Sequence, residues 1–250
     1  MPQITTRIAH ADKDSVTIRG FDLAADLIGE RSFTDVLYLL MKGSLPPDDH
    51  RRILDACLVT LMEHGWTPSS LIARLMIDSV PDEMQVGMSA GLLSLGNIFA
   101  GTSEACAKLL VSGERSGQTP EDYCNALVAE YRQQRKPVPG FGHPLHKPTD
   151  PRATKLLVFA DELGVSGRYV DLLRKLSAAM DRAAGKPITL NATGAIAALL
   201  LEIGLPADVM RGLAVVSRSG GLIAHIQEER ETHLAREIWS YVENNIPYEK

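Results

Sequence analysis

The chain has 250 residues, 45% of them hydrophobic and 23% charged, with a formal net charge of −5. This is the composition of an ordinary globular protein, long enough for one large domain or two modest ones, and it excludes a mainly disordered chain. The acidic balance argues against nucleic acid as a principal partner but leaves room for a local basic pocket, and no apolar run approaches the roughly 18 residues of a membrane span.

At the start, QITTRIAHADKDSVTIRG places Ile4 and Ile8, then Val16 and Ile18, on either side of the polar turn ADKD, which predicts a small β-hairpin. The N-terminal segment carries neither the basic residues nor the apolar stretch of a secretory leader, so a cytoplasmic location is expected. Beyond the hairpin the periodicity is helical. In DDHRRILDACLVTLMEH, residues Ile53, Leu54, Cys57, Leu58, Leu61 and Met62 share one face.

Pro68 after Thr67, Pro120 after Thr119, Pro151 after Asp150, and Pro206 before ADVMRGL all sit where a first helical turn tolerates a missing N–H. SGERSGQTPED and RQQRKPVPGFGHPLHKPTD read as loops, with YCNALVAEYRQQ between them as one helix. Cys57, Cys106 and Cys124 lack paired spacing and read as buried thiols.

Three motifs carry possible chemistry. GMSAG, Gly87 to Gly91, matches the G-x-S-x-G of a serine hydrolase elbow, but that elbow needs a preceding strand and the context here is helical. Its small residues suit close helix packing instead, including packing between subunits. HPLH puts His143 and His146 three apart, yet Pro144 and Pro148 oppose a regular helix and no third ligand stands nearby in sequence, so no metal is expected. GFGH lacks the leading strand and third glycine of a phosphate fingerprint. It reads as a tight loop in which glycine lets the backbone approach a ligand while His143 is held in a fixed pose.

GFGHPLHKPTDPRA resembles the G-x-G-H-…-D-P-R-A loop of the citrate synthase superfamily. VTIRGFDLAADLIGERSFTDVLYLLMKGSLP is similar to that family's N-terminal segment. EHGWTPSSLIAR sits where the family has Asp-His followed by an Asn-Ala-Ser-Thr helix, and VVSRSGGLIAHIQEE is similar to its S-R-x-x-G-x-x-A-H-x-x-E helix. The short length most resembles the citryl-CoA lyases and the citrate-synthase-like module of ATP citrate lyases.

The resemblance implies a mainly α, citrate-synthase-like fold. A large helical domain of residues 1–102 and 193–250 would carry an inserted smaller helical domain, residues 103–192, and would assemble as a homodimer or higher homo-oligomer. It implies that His143 holds the hydroxyl or carbonyl oxygen of the substrate and that His64 is a second substrate-side histidine. Arg152 and Arg218 would grip carboxylates, a task suited to the guanidinium fork. Arg236 would reach the partner subunit's site, with Glu237 standing where the family keeps proline. Val138, Pro139, Gly140, Phe141 and Gly142 would lie against the adenine of CoA.

Two positions depart from the pattern. Phe99, in GNIFAGTSEA, stands where synthases keep the histidine that polarises the thioester, as it does in citryl-CoA lyase-like modules. Thr193, in LNATGAI, replaces the aspartate that moves the methyl proton, and a threonine hydroxyl is no general base near neutral pH.

The implied activity is cleavage of a 3-hydroxy-3-carboxyacyl-CoA to an acyl-CoA and a 2-oxo acid, with His143 taking the hydroxyl proton. The substrates would be an acyl-CoA and a di- or tricarboxylate, with no cofactor beyond CoA itself. The alternatives are an acyl-CoA thioester hydrolase and a catalytically impaired CoA-thioester-binding protein of the same fold.

Overall fold

A computed structural model describes residues 4–249. The hairpin forms, but shorter than the sequence pattern suggests: β1 (Ala9–Ala11) and β2 (Val16–Ile18) pair antiparallel, with Ala9 opposite Ile18, and β3 (Phe21–Asp22) adds a third strand beside β2. Asp12 shapes the turn, its Oδ1 accepting the N–H groups of Asp14 and Ser15 at 2.9 and 2.8 Å. The ladder begins only at Ala9, so Ile4 and Ile8 stay outside it and exposed.

The rest is helical: α1 (Phe33–Lys42), α2 (Asp48–Met62), α3 (Pro68–Ser79), α4 (Met84–Leu93), α5 (Gly101–Arg115), α6 (Pro120–Gln133), α7 (Pro151–Glu162), α8 (Arg168–Ala184), α9 (Ala192–Glu202), α10 (Met210–Thr232) and α11 (Leu234–Asn245). The proline-marked starts hold. Thr67, Thr119 and Asp150 are the N-caps of α3, α6 and α7, each side chain accepting a first-turn N–H, a contact that contributes about 1 kcal/mol. Pro206 instead opens a single 3₁₀ turn, Ala207–Val209, that leads into α10. Among the described residues no helix is long and apolar enough to cross a membrane.

Two glycine-rich stretches serve packing. The loop expected at SGERSGQTPED shrinks to residues 116–119 because α5 continues through Arg115. Gly113, which looks like a helix breaker, is buried where a Cβ would stand 2.5 Å from the Tyr123 ring and 2.9 Å from Leu172, so it lets α6 and α8 close on α5. GMSAG lies within α4 and leaves Ser89 exposed on a regular helix, which rules out a nucleophile elbow. A Cβ at Gly91 would come within 2.7 Å of the Ser69 carbonyl and 2.9 Å of Leu222, so these glycines pack α4 on α3 and α10 inside the chain.

The main core gathers α2 and α5 to α9, with α9 at its centre: Ala195 to Leu200 are all at most 1% exposed. That burial explains why ATGAIAALLLE is apolar all round rather than amphipathic. A smaller cluster of Ala73, Ile77, Leu222 and Ile226 joins α3 to α10. Beside it the buried Arg74 pairs with Glu229 at 3.0 Å and also with Glu228, and donates from Nε to His225 Nδ1 at 3.0 Å. All three cysteines are free and buried.

The long connection between α6 and α7 is stitched to the short segment ahead of α9. Gly142 N–H donates to the Thr189 carbonyl at 2.7 Å, Asn191 N–H to the Gly140 carbonyl at 3.0 Å, and Asn191 Nδ2 to the Gly142 carbonyl at 2.8 Å. Thr189 Oγ1 donates to the carbonyls of His146 and Pro148, both at 3.1 Å. Gly140 has φ +89° and no room for a Cβ, which would lie 2.7 Å from Cys106 Sγ, so no other residue fits there.

Asp150 closes the arrangement. Its carboxylate, with no exposed surface, accepts Arg152 N–H at the start of α7 and Ala192 N–H at the start of α9, each at 3.0 Å. It also takes Arg152 Nε and Nη2 at 3.0 and 2.8 Å. Burial alone would raise its pKa, but these hydrogen bonds overcome it and hold the group at about 2.

A depressed carboxylate pKa stabilises the fold above the unfolded-state value and loses that contribution as pH falls through the folded one. Asp150 is therefore expected to contribute about 2 kcal/mol at pH 7, declining from about pH 4 towards pH 2. In urea unfolding, Asp150→Asn should be less stable than the unaltered protein at pH 7, with the gap narrowing as pH approaches 3. A gap independent of pH would contradict this assignment.

Candidate active site

A cavity of about 910 Å³ opens where the end of α2, the start of α3, the turn before α5, the 137–145 loop, the start of α9 and the middle of α10 meet. Every site residue expected from the sequence lines it except Arg236. Among the described residues, the ionisable side chains of its lining are His64, His143, Arg152 and Arg218, with no carboxylate.

His143 is fixed by its own loop. Its Nδ1 faces the N–H groups of Leu145 and His146 at 3.1 and 3.0 Å. Its Nε2 stands 3.1 Å from Arg152 Nη2, which can only donate and whose other N–H goes to Asp150 Oδ2. Protein N–H donors therefore face both ring nitrogens, which fixes the ring beside Arg152 at the edge of the cavity. Burial, then His146 and Arg152, lower the His143 pKa against the opposing pull of Asp150, which favours the neutral ring.

His64 follows α2, its main-chain N–H donating to Glu63 Oε1 at 2.7 Å. Its ring stands edge-on to His143 and His146, at centroid distances of 5.7 and 6.1 Å, while those two rings stack at 4.4 Å. The fold therefore supplies the third imidazole that HPLH lacks in sequence, with one nitrogen of each ring within 4.8 Å of the others. The set nonetheless fits a cation poorly. Both nitrogens of His143 already face protein N–H donors, and one of these is the Arg152 guanidinium, whose positive charge opposes a cation there.

Arg218 is largely buried on α10, with Nη1 3.3 Å from Glu63 Oε2. The same oxygen takes Nε2 of His225 at 3.1 Å. Gly221 makes this possible, since a Cβ there would lie 2.5 Å from Glu63 Oε2. Burial lowers the Arg218 pKa from its ordinary value while Glu63 opposes the shift.

Phe99 is 60% exposed in the turn before α5 and faces the cavity without a polar group. Thr193 Oγ1 donates to Asn191 Oδ1 at 2.7 Å, so its hydroxyl is already engaged. Val138 and Phe141 line the cavity yet are only 4% and 8% exposed, because they also belong to the core. Of the loop expected to meet CoA, this leaves the main chain, Pro139 and Gly142 as the accessible parts. Arg236 lies on α11 with Nε 3.0 Å from Asp78 Oδ1 and does not reach this cavity within the chain.

Four contributors escaped the sequence reading. Asp150 read only as a helix start, although Asp-Pro-Arg couples a cap to an arginine two residues on. Asn191 caps α9, and the N-x-x-G ahead of an apolar run was a readable signal for that. Glu63 and Trp66, the latter with Arg74 stacked 4.9 Å over its ring, carried no local signal, since their partners come from α3 and α10.

Comparison with known proteins places these residues in a family. The C-terminal domain of citrate synthase matches residues 46–239. The fold superposes on citryl-CoA lyase from Hydrogenobacter thermophilus with a TM-score of 0.89 and 32% identity, covering 99% of this chain and 94% of that one. ATP citrate lyase from Methanothrix soehngenii, in complex with citrate and coenzyme A, shares the fold at a TM-score of 0.81 and 20% identity, over 93% of this chain and 40% of that one. Citrate synthase from Haloferax volcanii is 28% identical over 198 residues, 78% of this chain and 50% of its own length. The chain thus spans about half the length of the curated relatives it matches. With most of its residues inside the family match and its G-x-G-H loop, Asp-Pro-Arg and α10 arginine around one cavity, the chain belongs to the citrate synthase family.

Proposed function

We propose that the chain is a citryl-CoA lyase-like enzyme that cleaves the C2–C3 bond of a 3-hydroxy-3-carboxyacyl-CoA to an acyl-CoA and a 2-oxo acid. The observation that carries this reading is the cavity itself, with two arginines, two histidines and no carboxylate among its described lining. Likeness to a citryl-CoA lyase over nearly the whole of both chains supports it.

Arg218 and Arg152 bind the carboxylates of the 2-oxo acid half. His143 and Arg152, side by side in the cavity, border the C3 oxygen, whose negative charge forms as the hydroxyl loses its proton and passes into the carbonyl bond as C2–C3 breaks. His143, which the resemblance casts as the group that takes the hydroxyl proton, has protein N–H donors against both ring nitrogens, and in this reading it orients the C3 oxygen beside Arg152. Phe99 offers no hydrogen bond to the thioester oxygen and shapes an apolar wall for the acyl part. The main chain from Val138 to Gly142 borders the CoA half of the substrate, and the bond changes call for no redox group.

Incubation with citryl-CoA, analysed by mass spectrometry, should give acetyl-CoA and oxaloacetate in equal amounts. Free CoA with intact citrate would mark a hydrolase, and unchanged citryl-CoA a binding protein. Either result overturns the lyase assignment.

Arg218→Ala should weaken oxaloacetate binding about 10–100-fold in calorimetric titration, the equivalent of one charge-assisted hydrogen-bonded pair. Unchanged affinity with a lowered melting temperature would make Arg218 a structural ion-pair partner of Glu63 instead.

A twofold dimer completes the reading. Apolar side chains stay exposed on α3 (Leu75, Met76), α4 (Val86, Leu93) and α11 (Trp239, Tyr241), a surface suited to burial against a second copy, from which Arg236 would reach the partner's cavity. Light scattering should give twice the 27.2 kDa chain mass. An active monomer at micromolar concentration would contradict the dimer.

A further inference from the structure

Breaking the C2–C3 bond requires a group that first accepts a proton and later gives one to carbon, and the cavity offers few candidates. Arg152 and Arg218 stay protonated. His143 has both ring nitrogens against protein N–H groups, Nδ1 against two of the main chain and Nε2 against Arg152. Thr193 spends its hydroxyl on Asn191.

His64 remains. Its ring lines the cavity, faces His143 edge-on, and among the described residues neither of its ring nitrogens has a protein hydrogen-bond partner. The segment that bears it is anchored from below: Glu63 receives the His64 main-chain N–H and is itself held by Arg218 and His225 in the space left by Gly221.

Resting on the lyase reading, we propose that His64 carries the proton through the whole reaction, taking it from the C3 hydroxyl and returning it to C2. The steps balance without a co-reactant. The O–H bond breaks to the imidazole, and its electron pair becomes the carbonyl bond of the 2-oxo acid. The C2–C3 bond breaks, and its pair stays on C2, delocalised into the thioester. The imidazolium N–H then breaks to C2, forming the new C–H bond and leaving His64 neutral, with nothing oxidised or reduced.

The surroundings suit both halves of this cycle. Partial desolvation of the ring at the cavity wall, then Arg152, His146 and Arg218, lower the His64 pKa below its ordinary value of 6.5, while Asp150 pulls the other way. His143 and the Glu63 carboxylate are the other titratable groups beside it. The ring is therefore neutral and ready to accept at pH 7, and once protonated it is a stronger acid than an ordinary imidazolium. This arrangement removes the need for a carboxylate at position 193.

The test uses the full chain with citryl-CoA as probe. His64→Gln should lower kcat for oxaloacetate formation by about 10²–10⁴-fold while KM changes by less than about threefold. Activity of the unaltered protein should fall on an acid limb below pH 6.5, and that limb should be absent from the residual activity of the variant. Added imidazole should restore the turnover of His64→Ala about tenfold or more, which no structural role would allow. In deuterated water with acetyl-CoA and oxaloacetate, the unaltered protein should incorporate deuterium at the acetyl methyl group, and His64→Gln should not.

His64 is exposed and lacks side-chain hydrogen bonds, so both variants should keep the melting temperature of the parent. If the unaltered protein cleaves citryl-CoA and His64→Gln retains more than about a tenth of its kcat, or imidazole gives no rescue, the shuttle is overturned while the lyase reading stands. If the unaltered protein makes no oxaloacetate, both are overturned.

Discussion

The site depends on one buried carboxylate. Asp150 accepts N–H groups from two helix starts and from the Arg152 guanidinium, and no part of its side chain meets solvent. A carboxylate so buried is tolerable only because each donor offsets part of the desolvation cost. The requirement fixes geometry: α7 and α9 must begin side by side, and Arg152 must lie back towards its own helix start. Arg152 Nη2 then falls 3.1 Å from His143 Nε2. The stitches from Thr189 and Asn191 hold the intervening loop to the same frame, which accounts for the dense proline and glycine of KPVPGFGHPLHKPTDPRA.

The same logic repeats around the cavity. Arg152 has Asp150 behind it, Arg218 has Glu63, and the deeper Arg74 has Glu229. The carboxylates stand outside the lining while the guanidiniums of Arg152 and Arg218 face into it. A chain of net charge −5 thereby presents a locally positive cavity, where a partly desolvated cation interacts more strongly with an anion than it would at the surface. Glu63 holds a second duty, since it also anchors the His64 main chain. Arg218 and His64 are thereby linked through one side chain.

Much of this was legible in the sequence where the cause is local. Helix starts at Thr67, Thr119 and Asp150 follow from a cap and a proline, and the structure places them as expected. The family motifs brought His64, His143, Arg152 and Arg218 to one cavity because each motif is a contiguous stretch. What failed was non-local. Gly113 signals a break when read alone and becomes a helix residue once the Tyr123 ring lies across it. Val138 and Phe141 do line the cavity, but the core packing that leaves their side chains only 4% and 8% exposed was not readable from the loop. What faces the ring nitrogens of His143 depends on how the chain turns after Pro144, and composition does not encode that turn.

The threonine at position 193 has an electrostatic consequence. A carboxylate at position 193, at the start of α9 and in the lining of the same cavity, would favour the protonated imidazoles by attraction. Threonine there leaves no carboxylate inside the lining, and desolvation, then the neighbouring cations, hold the His64 and His143 pKa values below the ordinary one. The neutral imidazole, the form that can accept a proton, is thereby favoured. The two rings differ in hydrogen bonding. His143 has protein N–H donors against both ring nitrogens, while His64 has no protein partner on its ring nitrogens among the described residues, which leaves its ring the one open to proton exchange with a bound molecule.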